Sequence, residues 1–248
     1  MDEQRFAEAC DKILSVERMR NGIGTLGEKT LHAVLKHYFQ PDESCHEVKI
    51  GSFVADLVCE EGIVEIQTRS FERLRRKLAE FIENDVVTVV YPLPMTKWLL
   101  WIDEETGEVS KRRKSPKQGK LLDIVHELYK IKPFLHHERF RLCVVFVDLE
   151  EFRYLNGWSR DKKKGSSRCD RIPVAIKEEI RFHSIEDYRQ ILPPDLPSPF
   201  SSKDLKTAAK TNLRTAQVSL NILHDLCLIE RVGKKGNLQL YNIALCHT

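Results

Sequence analysis

The stretch EVKIGSFVADLVCEEGIVEIQT, residues 47–68, decides the fold of this chain. Apolar and polar residues alternate along it, β-branched residues are frequent, and Gly51 and Gly62 interrupt the alternation. A period of two is typical of strands that bury one face. The pattern therefore predicts three short strands, near residues 46–50, 53–59 and 63–68.

Segments with helical spacing flank these strands. Residues 70–83, SFERLRRKLAEFIE, are strongly amphipathic, and residues 2–20 and 25–38 also have apolar residues at helical spacing. Residues 86–93, VVTVVYPL, have the length and apolar character of a buried strand. The order helix, three strands, helix, strand predicts an α/β core.

The region after this core has a less regular pattern. It predicts a hairpin around residues 103–107, a helix over 118–130, a buried strand within 140–155, and a strand near 174–182 that precedes a short helix from Ser184.

Two acidic residues interrupt otherwise apolar strands. Asp56 lies within FVADLV and Glu65 within IVEIQ. A carboxylate in an apolar strand is costly unless it is paired or binds a cation. Because these strands are predicted neighbours, the two carboxylates can meet at one end of the sheet, where they would form the oxygen site that Mg²⁺ prefers. Glu28, near the start of the preceding helix and three residues after Thr25 as in a capping box, is a third candidate.

These residues resemble a known family. The motifs G-E-K at 27–29, V-A-D-L-V at 54–58 and V-E-I-Q-T at 64–68 are similar to the pattern of PD-(D/E)xK nucleases, which include restriction enzymes and archaeal Holliday-junction resolvases. The resemblance covers about residues 20–95 and implies a restriction-endonuclease-like mixed sheet flanked by helices. It also implies that Asp56 and Glu65, with the Ile66 carbonyl, hold Mg²⁺ or Mn²⁺.

In the same family, Glu28 would complete the acidic cluster, and a metal-bound water would attack the phosphodiester in line. The sequence departs from the commonest pattern at Gln67, where the family usually has lysine. Glutamine can position a water but supplies no positive charge, although some family members with Glu-x-Gln cleave DNA. Lys29 or Arg69 could supply the cation, and His32, one turn after Glu28, could face the same site.

The C-terminal segment has a second signal. Residues 191–200, ILPPDLPSPF, contain four prolines and predict an extended linker between a domain at 1–190 and one at 201–248. The latter has a short helix, a longer helix and a hairpin around GKKG, and it resembles a winged helix-turn-helix. That resemblance implies that the longer helix enters the major groove and that the wing contacts phosphates. The expected DNA-binding residues are Arg214, Thr215, Gln217, Asn221, Lys234 and Lys235.

Charge and composition limit the functional classes. The net charge is only +3, but basic residues concentrate at 111–117, 160–171 and 200–248, which suits a surface that binds a polyanion. The N-terminus lacks an apolar signal segment and no run is long enough to span a bilayer, so we expect a cytoplasmic protein without a membrane partner. Seven widely spaced cysteines without a CxxC motif argue against disulfides and a structural zinc site.

The sequence therefore predicts a metal-dependent DNA endonuclease, or a DNA-processing protein derived from one, with a winged-helix DNA-binding module. This combination is similar to the endonuclease subunit of some bacterial transposons. Two alternatives stay open. One is a catalytically inactive DNA-binding regulator, which Gln67 favours. The other is a protein-interaction module whose winged helix mediates dimerisation, as in a homodimer.

Overall fold

The structure is a computed structural model of the 248-residue chain, and it describes residues 2–20, 30–158 and 164–244. Within these residues the α-helices are α1 (Glu3–Arg20), α2 (Thr30–Phe39), α3 (Arg75–Phe81), α4 (Val125–Leu128), α5 (Ser202–Ala208) and α6 (Leu213–Asp225). The strands are β1 (His46–Ile50), β2 (Phe53–Cys59), β3 (Gly62–Ile66), β4 (Val87–Ile102), β5 (Arg113–Lys114), β6 (Phe140–Trp158), β7 (Lys164–Phe182), β8 (Phe200–Ser201), β9 (Ile229–Lys235) and β10 (Leu238–Ile243). Short 3-10 helices lie at Glu43–Cys45, Phe71–Leu74, Leu121–Ile124, Tyr129–His136 and Glu186–Ile191.

Seven strands form a large mixed sheet, with the order β1-β2-β3-β4-β6-β7 and with β5 paired to β4. The three strands predicted within residues 46–68 are confirmed as β1, β2 and β3, which pair antiparallel as consecutive hairpins. Gly51 and Gly62 have positive φ angles of 55° and 119°, which explains why glycines interrupt the pattern at the strand ends. The α/β class is therefore confirmed.

The region 97–190 differs from its sequence pattern mainly in strand length. β4 continues through the apolar WLLWI to Ile102, while β6 and β7 have 19 residues each. The predicted single helix over 118–130 is instead three short helical turns that extend to His136. Pro133 lies inside the last of these turns and removes a backbone donor, so a regular α-helix does not continue there.

Backbone contacts divide the chain into two compact units. The first unit consists of Met1–Thr68, Val90–Gly119 and Val144–Ile180. Its core includes Leu31, Val34 and Leu35 from α2 and Ala55 and Leu57 from β2, all at most 1% exposed. Because α2 also contacts β3, residues of α2 lie beside the two strands that carry the predicted acidic residues.

The second unit consists of Arg69–Val89, Lys120–Cys143 and Arg181–Thr248. It includes α3 to α6 and a three-stranded sheet with the order β8-β10-β9. The predicted helix over 70–83 appears here as a 3-10 turn followed by α3. The proline-rich segment 191–200 begins and ends at buried residues, Ile191 and Phe200.

Two further observations concern the whole described chain. No helix within it combines the length and the hydropathy needed to cross a membrane. The six cysteines that it includes are free thiols.

Candidate functional site

Asp56 on β2 and Glu65 on β3 lie on the same face of the sheet. Leu57 pairs with Val64 and Val58 with Ile63, so the next pair in this antiparallel register is Asp56 with Glu65. The Asp56 backbone N–H donates to Glu65 Oε1 at 3.1 Å, and the Ile66 N–H donates to Asp56 Oδ2 at 2.8 Å. Each carboxylate therefore accepts a hydrogen bond from the strand that carries the other.

Burial differs between the two carboxylates. Glu65 is 1% exposed, whereas the Asp56 side chain is 21% exposed. A buried carboxylate keeps its charge only where hydrogen bonds or cations replace its hydration. Glu65 is thus the buried carboxylate of the pair, and Asp56 is the one that solvent reaches.

His32 on α2 lies beside the same pair. Its Nε2 atom is 3.2 Å from Asp56 Oδ2, and its side chain is 22% exposed. The expectation that His32 faces this site agrees with that geometry. Glu28, its neighbour Lys29 and the capping residue Thr25 lie outside the described residues, so their expected places remain predictions.

Gln67 directly follows β3. Its backbone N–H donates to the Val90 carbonyl of β4 at 2.9 Å, and the residue is half-buried. Arg69 is exposed two residues later. In the described part of the chain, no three or more His, Cys, Asp or Glu side chains are grouped closely enough to hold a metal ion. Metal binding by Asp56 and Glu65 therefore stays a prediction.

A second charged site, which we call the Glu151 cluster, was not predicted from the sequence. It consists of the fully buried Glu151 on β6 and four cations around its carboxylate. Oε1 accepts from Arg153 Nε at 2.7 Å, and Oε2 lies 3.3–3.4 Å from nitrogens of the other three. These three are Lys97 on β4 and Arg168 and Arg171 on β7.

These charges control the protonation of Glu151. Burial alone would raise the pKa of its carboxyl, but the Arg153 hydrogen bond and the charges of Arg168, Lys97 and Arg171 outweigh it and lower the pKa to about 2. At Lys97, burial lowers the pKa of the ammonium group more than Glu151 raises it. The sequence indicates only part of the cluster. Glu151 and Arg153 are charged residues at alternate positions of a strand that is otherwise mostly apolar.

Comparison with known proteins assigns the chain to a family. A family model described as "Domain of unknown function (DUF8091)" matches residues 29–183. The chain belongs to the DUF8091 family. An uncharacterized protein of Treponema pallidum (strain Nichols) is 31% identical over 227 residues, which cover 88% of this chain and 86% of that protein. No solved structure matches the chain.

The DUF8091 match includes the Asp56–Glu65 pair and the Glu151 cluster, and it ends before the C-terminal helices. In that C-terminal segment, α6 presents Arg214, Gln217 and Asn221 on its exposed side. Their spacing of three and four residues puts them on one face of the helix. Near the end of this face, Asn221 Oδ1 lies 3.4 Å from Lys132 Nζ.

The expectation that Thr215 faces DNA is wrong in this structure. Thr215 is 2% exposed, and its Oγ1 lies 2.8 Å from His126 Nε2. One residue after Arg214, the helix has turned by about 100°, which brings Thr215 to the buried side. The hydrogen bond with His126 satisfies the buried hydroxyl, so a polar residue occupies a core position without an unpaired group.

The expected wing is the hairpin β9–β10. Lys235 pairs with Leu238, so the turn residues are Gly236 and Asn237 rather than the predicted 233–236. Gly236 has a φ of 59°, which a two-residue hairpin turn favours. Lys234 and Lys235 are exposed at the end of β9, and because consecutive strand residues alternate, they point to opposite sides of the hairpin.

Proposed function

We propose that this protein is a metal-dependent DNA endonuclease of the PD-(D/E)xK type, or a DNA-processing protein derived from one. The observation that carries the proposal is the Asp56–Glu65 pair, whose carboxylates lie on neighbouring strands. The Glu65 carboxylate accepts from the Asp56 N–H, and the Asp56 carboxylate accepts from the Ile66 N–H. The motif order around this pair supports a restriction-endonuclease-like fold for the large mixed sheet.

The donor set of this pair suits Mg²⁺ or Mn²⁺. Mg²⁺ in proteins is commonly held by one or two carboxylates and retains several waters, so a site without a third acidic ligand is compatible with it. The partial exposure of Asp56 leaves a path for a phosphate oxygen from solvent. Asp56 and Glu65 would hold the ion, and Glu28 is the third ligand that the family pattern proposes.

When bound, the metal would supply a nucleophilic water and neutralise charge on the phosphate oxygens. The chain's own residues have separate tasks. His32 orients the Asp56 carboxylate through its 3.2 Å contact with Oδ2. Gln67, with its backbone anchored to Val90, would hold a water through its amide without adding positive charge to the site.

DNA recognition is proposed for the C-terminal segment. The order β8, α5, α6, β9, β10 supports a winged helix-turn-helix in which α6 is the recognition helix. Arg214, Gln217 and Asn221 would contact DNA in the groove, while Lys234 and Lys235 would contact phosphates. Asn212 accepts a hydrogen bond from the Thr215 N–H and so caps the helix next to Arg214.

A catalytically inactive DNA-binding regulator is the second candidate, and Gln67 is the observation that favours it. The two candidates differ in metal-dependent chemistry and share DNA binding. The test is cleavage of single-stranded, double-stranded and branched DNA in Mg²⁺ or Mn²⁺, together with the melting temperature in each metal.

Asp56→Asn removes a negative metal ligand but keeps an oxygen that can accept from the Ile66 N–H, so the fold should remain. We expect a loss of cleavage beyond the about 10- to 100-fold typical of changes outside the ligand shell. The metal-induced rise in melting temperature should disappear, while DNA binding is retained or strengthened. Asp195→Asn, which removes the same charge at an exposed position, is the matched control.

Gln67→Lys is the converse variant. It restores the cation usual in this family and should keep or raise the cleavage rate. Under the regulator alternative, neither Asp56→Asn nor Gln67→Lys alters anything except stability. If the parent protein cleaves no form of DNA and neither metal raises its melting temperature, the endonuclease proposal is wrong.

A further inference from the structure

The Glu151 cluster contains more positive than negative charge. Lys97, Arg153 and Arg171 alone carry three positive charges, against the one negative charge of Glu151. Elsewhere in the first unit, Arg112 is matched with Glu150 and Lys177 with Asp148, one cation to one carboxylate. Because the nitrogens of Lys97, Arg168 and Arg171 lie near one oxygen, they are at most about 7 Å apart and repel one another.

The donors of the cluster are arranged so that an anion could reach them. The three arginines use Nε to contact Glu151, and Arg153 Nη1 also donates to Ser166 Oγ at 3.0 Å. Within the described residues, the Nη groups of Arg171 make no hydrogen bond. The edge formed by two Nη groups is one that binds phosphate in a bidentate manner.

Solvent reaches the four cations, although it does not reach Glu151. The exposed fractions of their side chains are 22% for Lys97, 31% for Arg153, 34% for Arg168 and 16% for Arg171. A partly desolvated cluster of this kind binds an anion more strongly than exposed lysines do, because nearby water screens it less.

We propose that the Glu151 cluster is a phosphate-binding site that holds a backbone phosphate of the DNA strand. Glu151 aligns the guanidinium groups, and the remaining positive charge attracts the ligand. The choice of DNA as the ligand rests on the proposed function, whereas the phosphate chemistry of the site does not. Arg168 and Arg171 also belong to the basic segment 160–171, which the endonuclease and wing assignments leave without a role.

The first experiment uses the parent protein and chemical labelling of arginine. Phenylglyoxal modification of Arg171 is followed by mass spectrometry, alone, with an oligonucleotide, with pyrophosphate, and with potassium chloride at matched ionic strength. The oligonucleotide and pyrophosphate should both slow modification of Arg171, and chloride should not. Equal modification rates in all four conditions would overturn the proposal.

The second experiment uses Arg171→Gln, which removes one charge and keeps a polar side chain. A charge-assisted hydrogen bond of ordinary strength predicts about 10-fold weaker oligonucleotide binding. The slope of log affinity against log salt should fall by about one. Lys49→Gln removes the same charge from an exposed position on β1 and should change affinity less than about 2-fold. If both variants lose the same affinity, the effect comes from net charge alone and the proposed site is wrong.

The outcomes separate this proposal from the endonuclease proposal. Protection of Arg171, together with no cleavage and no metal-induced rise in melting temperature, keeps the phosphate site and rejects the nuclease. Protection by pyrophosphate but not by DNA keeps the site and assigns it to a free phosphate compound. If the parent protein cleaves DNA but neither ligand protects Arg171, the endonuclease proposal stands and the phosphate site is wrong.

Discussion

Replacing Glu151 by glutamine tests the electrostatic role of the Glu151 cluster. The variant keeps the size of the side chain and an oxygen that can accept from Arg153, but it removes the negative charge that four cations share. Removing one partner of a buried ion pair leaves the other partner's charge uncompensated, which is strongly destabilising. We therefore expect Glu151→Gln to lower the free energy of unfolding at neutral pH.

The magnitude follows from the pKa of Glu151. The ordinary value of 4.5 falls to about 2 in the folded protein. This difference corresponds to about 3 kcal/mol of stability that the charged carboxylate contributes and glutamine cannot. Because the folded-state pKa is the lower one, the contribution is complete above pH 4.5 and is lost as the pH falls towards 2. At pH 3 less than half of this contribution should remain.

The assay is urea unfolding followed by tryptophan fluorescence, since Trp98 and Trp101 lie in the same unit as Glu151. Midpoints are compared between parent and variant at pH 7 and pH 3. Glu105→Gln, at an exposed position of that unit, is the control and should leave the midpoint unchanged. A variant as stable as the parent at pH 7, or a stability difference that does not shrink at pH 3, would refute the reasoning.

Two further predictions concern the C-terminal segment. Thr215→Val removes the hydroxyl that contacts His126, so it should lower the free energy of unfolding in urea by about 1 kcal/mol and leave DNA affinity unchanged. A loss of DNA affinity with unchanged stability would show instead that Thr215 contacts DNA. Replacing Lys234 and Lys235 by alanine should weaken binding to all DNA sequences alike and lower the salt slope by about two in a fluorescence anisotropy titration. A loss of sequence preference with an unchanged slope would contradict the assignment of these lysines to phosphates.

The sequence alone predicted the structure best where the pattern is local. The strands at 46–50 and 53–59 agree with β1 and β2 at both ends, and β3 differs from its prediction by two residues at most. Alternation of apolar and polar residues reports which face is buried, and two consecutive hairpins need no information from distant parts of the chain. For the same reason, the proximity of Asp56 and Glu65 could be expected, because neighbouring strands of one hairpin carry them.

Local patterns failed where burial depends on a distant partner. Thr215 is polar and lies next to Arg214, so the sequence offers no reason to place it in the core. Only the packing of His126, 89 residues away in the chain, supplies the hydrogen bond that makes its burial acceptable. Similarly, β6 and β7 extend to 19 residues, although the sequence pattern predicted shorter strands.

The Glu151 cluster depended on tertiary structure most completely. Its residues come from three strands and from positions 97 to 171, and no short motif connects them. The strand order β4-β6-β7 brings them to one point of the sheet. The sequence determined that charged residues occur within these strands, whereas their pairing determined that four cations surround one buried carboxylate. The physical reason is that hydrophobic alternation acts between near neighbours in the chain, while electrostatic compensation acts between any residues that the fold brings within a few ångströms.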